Sequence, residues 1–224
     1  MPLKFTTTDQ AGDRGVKVCV YGKAGMGKTT LVATAPAPII LSAEAGLLTL
    51  RKHKIPAIEI NSYNDLLDAY QWTAQSAEAK QFQTICLDSI SEIAERVLEN
   101  AKKQSKDPRM AYGALADNTY AVIRMFRDLP GRHVYFTAKQ QMIKTAENTT
   151  MFGPMMPGQQ LGPGIPYFFD EVFNLNIGTA GDGSKYRYLR TQPDFQYDAK
   201  DRSGALDEIE RPDLAYIFNK ILAA

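Results

Sequence analysis

The feature that most constrains this sequence is the glycine-rich segment at residues 22–29, which reads GKAGMGKT. It follows an apolar run at residues 16–21 and fills the template G-x-x-x-x-G-K-[ST] at every position, as phosphate-binding loops between a strand and a helix do. In such loops the glycines allow backbone N–H groups to turn toward phosphate oxygens. The sequence therefore predicts a nucleotide cradle formed by Gly22, Lys23, Ala24, Gly25, Met26, Gly27, Lys28, Thr29 and Thr30.

Two side chains of this loop have specific predicted roles. Lys28 is expected to reach the β- and γ-phosphates, and the Thr29 hydroxyl to complete the shell of a Mg²⁺ ion. The helix that follows would direct the positive end of its dipole toward the phosphates. The alternative is a glycine-rich turn without a ligand, which would leave the complete match to the template unexplained.

Short apolar runs alternate with longer segments of helical periodicity along most of the chain. This pattern is typical of parallel strands joined by crossover helices. Strands are predicted at residues 16–21, 38–43, 58–60, 82–88 and 133–138, and a helix at residues 63–79 with Asn61 or Ser62 as its cap. The predicted fold class is therefore α/β, with a mainly parallel central sheet flanked by helices.

The second half of the sequence changes character. Residues 142–166 are rich in glycine and proline and show little periodicity, so a long loop is expected there. Residues 172–178 and 186–191 flank a glycine turn, which predicts an antiparallel hairpin that extends the sheet near its C-terminal end. A closing helix is predicted with Pro212 in its first turn.

Length and composition limit the possible classes of protein. With 224 residues the chain suits one large domain, assigned to residues 16–224 after an N-terminal extension at residues 1–15, with two small domains as the alternative. The formal net charge is only +1, so any nucleic acid would have to be bound by local patches. Cys19 and Cys86 lie in apolar runs, which favours reduced core thiols and a cytoplasmic location. The sequence lacks a signal peptide and a membrane-spanning run, so no membrane partner is expected.

Two acidic residues, Asp88 and Glu44, are candidates for roles in metal binding and hydrolysis. Asp88 ends an apolar strand, where a carboxylate emerges beside the phosphate loop and can hold Mg²⁺ through water. Capping the helix predicted from Ser89 onward is its alternative role, and the two roles can coexist. Glu44 lies just beyond the second apolar run and not directly after Asp88. Its alternative role is that of a first-turn helix glutamate that interacts with the helix dipole.

The phosphate loop, Asp88 and the position of Glu44 together resemble the RecA/RadA branch of phosphate-loop ATPases. In that branch the catalytic glutamate follows the strand after the phosphate-loop helix, whereas many AAA+ proteins place Asp and Glu side by side. The resemblance implies a RecA-like fold, binding of ATP and Mg²⁺, and hydrolysis with Glu44 as the base. It also implies a polar γ-phosphate sensor after the fifth strand, where Lys139 and Gln140 are the candidates, with plain surface roles as the alternative.

The late segment AKDR at residues 199–202 also contributes to this resemblance. On an extended chain Lys200 and Arg202 project to the same side. A Lys-x-Arg pair in a late strand looks like the lysine and arginine fingers of RecA-like ring ATPases, which reach the γ-phosphate of the neighbouring subunit. The resemblance therefore implies a homo-oligomer, either a ring or a filament. A solvated, charged turn is the alternative for this pair.

The whole pattern is similar to a group of phage-encoded, core-only RecA-like ATPases, some of them associated with annealing and recombination of single-stranded DNA. This similarity implies single-stranded DNA as a partner, a single-strand-binding protein as a further candidate partner, and the host cytoplasm as location if the protein is phage-encoded. The expected DNA contacts are Lys144, Phe152 and Gln159 in the loop at residues 142–166. A nucleotide lid or a subunit contact is the alternative for this loop. For the whole protein, the alternatives are a protein-directed ATPase such as a helicase loader, and an assembly module with negligible hydrolysis.

Overall fold

A computed structural model describes residues 7, 10, 13–44, 46–105, 107–144, 148–158 and 161–224, without the side chain of Pro108. The described chain forms a large, mainly parallel sheet with helices on both faces. Antiparallel strands extend this sheet toward the C-terminus. The structure therefore confirms the α/β fold class that was predicted from the sequence.

The strands fall into two groups. Six parallel strands form the centre of the large sheet, namely β1 (Lys17–Tyr21), β2 (Pro38–Ser42), β3 (Ala57–Glu59), β4 (Thr84–Asp88), β5 (His133–Ala138) and β8 (Glu171–Thr179). Five further strands pair antiparallel, namely β6 (Gln140–Lys144), β7 (Thr150–Pro154), β9 (Lys185–Arg190), β10 (Lys200–Asp201) and β11 (Ile209–Glu210).

In the part of the chain that the structure describes, six α-helices connect and cover these strands. They are α1 (Lys28–Leu31), α2 (Tyr63–Gln75), α3 (Ile90–Gln104), α4 (Pro108–Arg127), α5 (Leu161–Gly164) and α6 (Leu214–Leu222). The longer helices begin at side-chain caps, as at Ser62, which accepts from the Asp65 backbone while the Asp65 carboxylate accepts from the Ser62 backbone. Within the described residues, no helix combines the length and the apolar composition needed to cross a bilayer.

The order of the strands places the functional loops. In the large sheet the order is β3-β2-β4-β5-β1-β8-β9-β11, and β10 pairs with the start of β8. Strand β5 thus lies between β1 and β4, so the loops after these three parallel strands emerge at the same edge. We call this the carboxyl edge, and the edge at which the parallel strands begin the amino edge. A five-residue strand is roughly 16 Å long, which separates the two edges.

Alternating side chains of β1 pack on opposite faces of the sheet. Cys19 and Tyr21 belong to a core cluster covered by α2, α3 and α4, whereas Val18 and Val20 belong to a cluster covered by α1 and α6. The free thiols of Cys19 and Cys86 are fully buried, one in each cluster. This burial confirms the prediction that both cysteines are core residues.

Three sequence-based expectations need correction. Residues 142–166, predicted as one long loop, include paired strands, because Met142–Lys144 of β6 pair with Thr150–Phe152 of β7 in a separate two-stranded sheet. The helix predicted over residues 63–79 ends at Gln75, and a 3₁₀ turn at Glu78–Gln81 follows it. Pro212 precedes the cap of the last helix, because Asp213 accepts from the Tyr216 backbone and α6 begins at Leu214.

A buried hydroxyl connects three parts of the chain at the end of β1. The Tyr21 Oη atom lies 2.9 Å from the carbonyl oxygen of Phe152 in β7 and 2.6 Å from that of Asp198. Tyr21 directly precedes the glycine-rich segment, and Asp198 lies two residues before Lys200. The residue before the candidate phosphate loop therefore contacts both the small hairpin of β6 and β7 and the segment that leads to Lys200.

Candidate nucleotide-binding site

The glycine-rich segment forms a tight turn between β1 and α1. Gly27 has a φ of 104°, a left-handed conformation that favours glycine, and it caps the first turn of α1. A Cβ atom on Gly22 would lie 2.7 Å from the carbonyl oxygen of Leu175, so a larger residue does not fit there. Local chain geometry thus explains both glycines, and the loop has the strand-before, helix-after context that was predicted.

The Lys28 side chain folds back across this loop. Its ammonium donates to the carbonyl oxygens of Gly22 at 2.7 Å and Lys23 at 3.0 Å. Burial lowers the pKa of Lys28, and the nearby carboxylates of Asp88 and Glu44 oppose that shift. The cation therefore lies at the mouth of the loop, within electrostatic reach of both predicted acids.

Thr29 and Asp88 meet as the sequence predicted. The Thr29 Oγ1 atom donates to Oδ2 of Asp88 at 2.7 Å, and the other carboxylate oxygen accepts from the Thr137 hydroxyl of β5. Asp88 is buried, and one hydroxyl reaches it from the first turn of α1 and the other from the neighbouring strand β5. Asp88 does not cap α3, because the capping side chain is Ser89, which accepts from the Glu92 backbone.

This donor set fits a magnesium ion. Mg²⁺ prefers oxygen ligands and usually keeps several waters while it contacts one or two carboxylates and phosphate oxygens. The Thr29 hydroxyl and the Asp88 carboxylate are such oxygens, and they lie beside the phosphate loop. These two residues would hold the ion, with Thr137 fixing the orientation of the carboxylate.

Glu44 lies at the same edge of the sheet. Its backbone N–H donates to the Asp88 carbonyl at 3.3 Å, and its Oε1 atom accepts from the Ser89 hydroxyl at 2.5 Å. The 3₁₀ turn that follows begins only at Leu47, so Glu44 is not a first-turn helix residue. Residues far apart in sequence thus place Glu44, Asp88 and Lys28 around one position.

Of the two sensor candidates, Lys139 lies beside Glu44. Its ammonium pairs with Glu92 and lies 3.8 Å from Oε1 of Glu44. Burial disfavours the charged form, but the bond to Glu92 and the charge of Glu44 outweigh this effect and raise the pKa of Lys139. Gln140 faces another way, because its Oε1 atom accepts from the Asn174 amide of β8 at 3.2 Å.

Lys200 and Arg202 lie at the amino edge. The Lys200 ammonium donates to the carbonyl oxygens of Pro166 at 3.1 Å and Phe169 at 2.6 Å, and Arg202 pairs with Asp170 at 2.9 Å. Both side chains contact the same short segment, which agrees with their predicted common direction. The structure does not bring them to the phosphate loop of their own chain, because β10 pairs with the first two residues of β8.

Two of the three residues predicted to contact DNA, Lys144 and Phe152, lie on the small hairpin of β6 and β7. Lys144 is exposed at the end of β6. The Phe152 ring is half-buried and packs against the Tyr197 ring at 5.4 Å between centroids, so it is not freely exposed. Gln159 lies outside the described residues.

Sequence reasoning missed three residues around the site. Ser89 and Thr137 hold Glu44 and Asp88, and the Arg187 Nε atom of β9 donates to the Met26 carbonyl in the phosphate loop at 2.7 Å. A polar residue near the end of an apolar strand was an available signal for Thr137. Arg187 gave no such signal, because its contact depends on how the β8–β9 hairpin folds over the loop.

Comparisons with known proteins identify a family for this chain. The model of a protein family described as an AAA domain, AAA_24, matches residues 14–203. A comparison with curated proteins found no match.

Similar solved structures include a KaiC-like protein from the hyperthermophilic archaeon Pyrococcus horikoshii, with 17% identity and a TM-score of 0.45 over 79% of this chain and 77% of that chain. The flagellar accessory protein FlaH from Methanocaldococcus jannaschii has 12% identity and a TM-score of 0.43 over 80% and 78%. An ATPase from the type III secretion system of pathogenic bacteria has 12% identity and a TM-score of 0.48. The match covers 72% of this chain and 52% of that chain.

Proposed function

Since the chain belongs to the AAA domain family that matches residues 14–203, we propose that it is a RecA-like P-loop ATPase that binds ATP with Mg²⁺ and hydrolyses the γ-phosphate. The observation that carries this proposal is the 2.7 Å hydrogen bond between Thr29 and Asp88 directly beside the phosphate loop. The separation of Glu44 from Asp88 in sequence, and their approach in space, support the RecA-like arrangement over one with adjacent acids.

The loop residues would bind the triphosphate. Lys28 already lies across the loop, and its ammonium can exchange the carbonyl oxygens of Gly22 and Lys23 for phosphate oxygens. Such charge-assisted bonds are stronger than bonds to neutral carbonyls. A bound Mg²⁺ ion would neutralise charge on the β- and γ-phosphate oxygens.

Glu44 is proposed to act as the general base that accepts a proton from the attacking water. A base must be ionised and held in a fixed orientation. The Ser89 hydroxyl restricts the position of the Glu44 carboxylate, and the Lys139 ammonium lies 3.8 Å from the same carboxylate oxygen. The contacts of Glu44 with Ser89 and Lys139 both use Oε1, and its other carboxylate oxygen, Oε2, can accept a proton from water.

The first experiment measures ATP binding and phosphate release with and without Mg²⁺. We expect Lys28→Ala to lose ATP binding, and Glu44→Gln to keep binding while turnover falls at least 100-fold. Turnover that is unchanged in Glu44→Gln would remove Glu44 from the base role. An absence of ATP binding in the unmodified protein would overturn the proposed function itself.

Lys200 and Arg202 are proposed to contact the triphosphate of a neighbouring subunit in a ring or filament. Their place at the amino edge supports this role, because their own phosphate loop lies at the carboxyl edge. A guanidinium supplied by a neighbour stabilises charge in phosphoryl transfer and makes hydrolysis depend on assembly. Lys200 and Arg202 would have to exchange their present partners near Asp170 for this contact.

Single-stranded DNA in annealing or recombination is the proposed target. The exposed Lys144 supports it, because the hairpin follows β5 at the same edge as the nucleotide site. A protein target, as for a helicase loader, is the second candidate. The packing of Phe152 on Tyr197 and the 66% exposure of Met142 favour it, because Lys144 is the only charged residue in β6 and β7.

Binding of a labelled single-stranded oligonucleotide at several salt concentrations, with and without ATP, separates these targets. DNA binding should weaken as salt rises, and Lys144→Glu should weaken it further. An affinity too low to measure at low salt would exclude DNA and favour the protein target.

A further inference from the structure

A second cleft lies at the amino edge, on the side of the sheet away from the phosphate loop. Its volume is about 530 Å³, within the range of roughly 300–1,000 Å³ that is usual for small-ligand sites. Residues that precede β1, β5 and β8 line it, together with residues near β10. The side chains that matter for its chemistry are Arg14, Lys17, Arg127, Tyr167, Phe168 and Arg202.

The lining of this cleft is positively charged. Its four cations face two carboxylates, Asp128 and Asp170, which leaves a charge of +2 although the whole chain carries only +1. Within the described residues Arg14 is exposed and forms no salt bridge. Arg127 uses two N–H groups on Asp128, at 2.7 and 2.9 Å, out of the five that a guanidinium offers. Donors for an anion therefore remain available in the cleft.

Lys17 contributes charge to the floor of the cleft. Its buried ammonium donates to the carbonyl oxygens of Arg14 at 2.7 Å, Leu129 at 3.2 Å and Arg132. All three donors of the ammonium are used, so Lys17 does not need to contact a ligand directly. Burial lowers its pKa to about 8, so it stays mostly protonated at neutral pH. An anion in the cleft would favour this charged form.

The exposed aromatic ring of Tyr167 lines the cleft together with these cations. The Tyr167 side chain is 81% exposed, whereas the neighbouring Phe168 ring stacks on Tyr120 at 4.8 Å and lies 5.0 Å from the Arg124 guanidinium carbon. Exposed aromatic rings next to basic side chains are the usual means of binding unpaired bases and their phosphates. An acidic peptide would use the cations but leave the exposed ring of Tyr167 without a role.

We propose that this cleft is a second nucleotide-binding site, in which Arg14 and Arg127 contact a phosphate and Tyr167 stacks on the attached base. The ligand is a nucleotide unit, either a free nucleoside monophosphate or a nucleotide within single-stranded nucleic acid. The Arg202–Asp170 pair also lines the cleft and need not break for this binding. The site does not depend on the phosphate loop, so it does not require the ATPase activity proposed above.

The test uses the full chain with the change Lys28→Ala, which silences the phosphate loop. Thymidine monophosphate and a short, labelled oligothymidylate are titrated separately into this protein. Tyr167→Ala should weaken binding roughly ten-fold, since stacking contributes about 1–3 kcal/mol per base. Arg14→Glu should also weaken binding and should reduce its dependence on salt.

Two control variants match these changes outside the cleft. Phe195→Ala removes another exposed ring, with 85% exposure, and Arg51→Glu reverses another exposed charge. Neither control should change the affinity. Equal melting temperatures of all variants would establish that the fold is retained.

The outcomes separate the possible ligands. Binding of both probes supports a site for free nucleotides, and binding of the oligonucleotide alone supports a site within a longer strand. If neither Tyr167→Ala nor Arg14→Glu changes binding of either probe, the proposal is wrong. The proposal also fails if oligoglutamate displaces the probes and its own binding depends on Arg14 but not on Tyr167, because that result would identify an acidic protein partner.

Discussion

The Ser89 hydroxyl donates a hydrogen bond of 2.5 Å to Oε1 of Glu44, although the two residues are 45 positions apart in the sequence. Ser89 also accepts a bond from the Glu92 backbone and thereby caps α3. One side chain thus joins the start of a long helix to the candidate base. Ser89 directly follows Asp88 in the chain. The orientation of Glu44 therefore depends on the start of α3, the helix that follows the proposed metal ligand.

Replacing Ser89 tests whether this bond positions Glu44. We expect Ser89→Ala to lower kcat by roughly 10- to 100-fold with little change in KM, because a small displacement of a reacting group has effects of this size. Steady-state ATP turnover measures both constants. Ser89→Thr, which keeps a hydroxyl, should recover part of the lost activity.

The control for this change is another helix cap. Ser62→Ala removes the cap of α2, and both serine substitutions should lower the free energy of unfolding by about 1 kcal/mol. Only Ser89→Ala should reduce kcat. An equal loss of activity in the two variants would mean that Ser89 acts through stability alone.

The Thr137 hydroxyl should affect the requirement for magnesium. Thr137→Val keeps the shape of the side chain but removes the bond to Asp88, so the carboxylate loses one of the two hydroxyls that orient it. We expect the Mg²⁺ concentration for half-maximal turnover to rise roughly ten-fold. A titration of ATP turnover with Mg²⁺ at saturating ATP measures this value.

Thr119 offers a matched control for this substitution. It is fully buried like Thr137, but its Oγ1 atom has no hydrogen-bond partner in the part of the chain that the structure describes. Thr119→Val should leave the Mg²⁺ requirement unchanged and should not reduce stability. If both variants shift the Mg²⁺ requirement equally, the bond between Thr137 and Asp88 has no specific role.

Glu171 should make the stability of the fold depend on pH. Burial raises the pKa of this carboxyl to about 9, with a further contribution from the charge of Asp201 and a bond to it. The folded state therefore binds one more proton than the unfolded state between the ordinary pKa of 4.5 and about 9. Stability should fall as pH rises through this window, on the order of 1.4 kcal/mol for each pH unit.

Glu171→Gln removes this titration and keeps a donor for Asp201. Denaturant midpoints measured from pH 5 to pH 9 should fall steeply with pH in the unmodified protein and less steeply in the variant. The variant should be the more stable protein at pH 8. Parallel pH profiles of the two proteins would show that Glu171 is ionised in the folded state.

Mixed subunits test the trans role of Arg202. Arg202→Ala removes the proposed finger, and Glu44→Gln removes the base, so neither variant alone should hydrolyse ATP well. In a mixed oligomer, a subunit with Glu44 can lie beside a neighbour with Arg202, and part of the activity should return. Mixtures that stay as inactive as their components would contradict an action between subunits.

Sequence reasoning located the parts of the site that depend on local order. The phosphate loop and Asp88 follow apolar strands, and strand ends in a parallel sheet meet at one edge. The partners of these residues depend on which strands are neighbours. Thr137 reaches Asp88 because β5 lies beside β4, and Ser89 reaches Glu44 because β2 pairs with β4 in a register that places Ser42 opposite Asp88. The order of the strands in the sheet cannot be predicted from any single segment of the sequence.

The hairpin of β6 and β7 was missed for a different reason. Glycine and proline at residues 153 and 154 indicated a loop, but both residues pair within β7, opposite Gln141 and Gln140. The sheet has only two strands, so its backbone pairing does not require the apolar alternation by which larger sheets are recognised. The packing of Phe152 on Tyr197 likewise required knowledge of the tertiary fold.

The hydroxyl of Tyr21 has a single proton but two carbonyl oxygens within reach, those of Phe152 and Asp198. The hydroxyl cannot donate fully to both oxygens at once. If either carbonyl oxygen moved away, the hydrogen bond to the remaining carbonyl oxygen would become stronger. The residue that precedes the phosphate loop is therefore shared between two competing acceptors. The direction in which the Tyr21 hydroxyl donates therefore depends on whether β7 or the segment at Asp198 lies nearer.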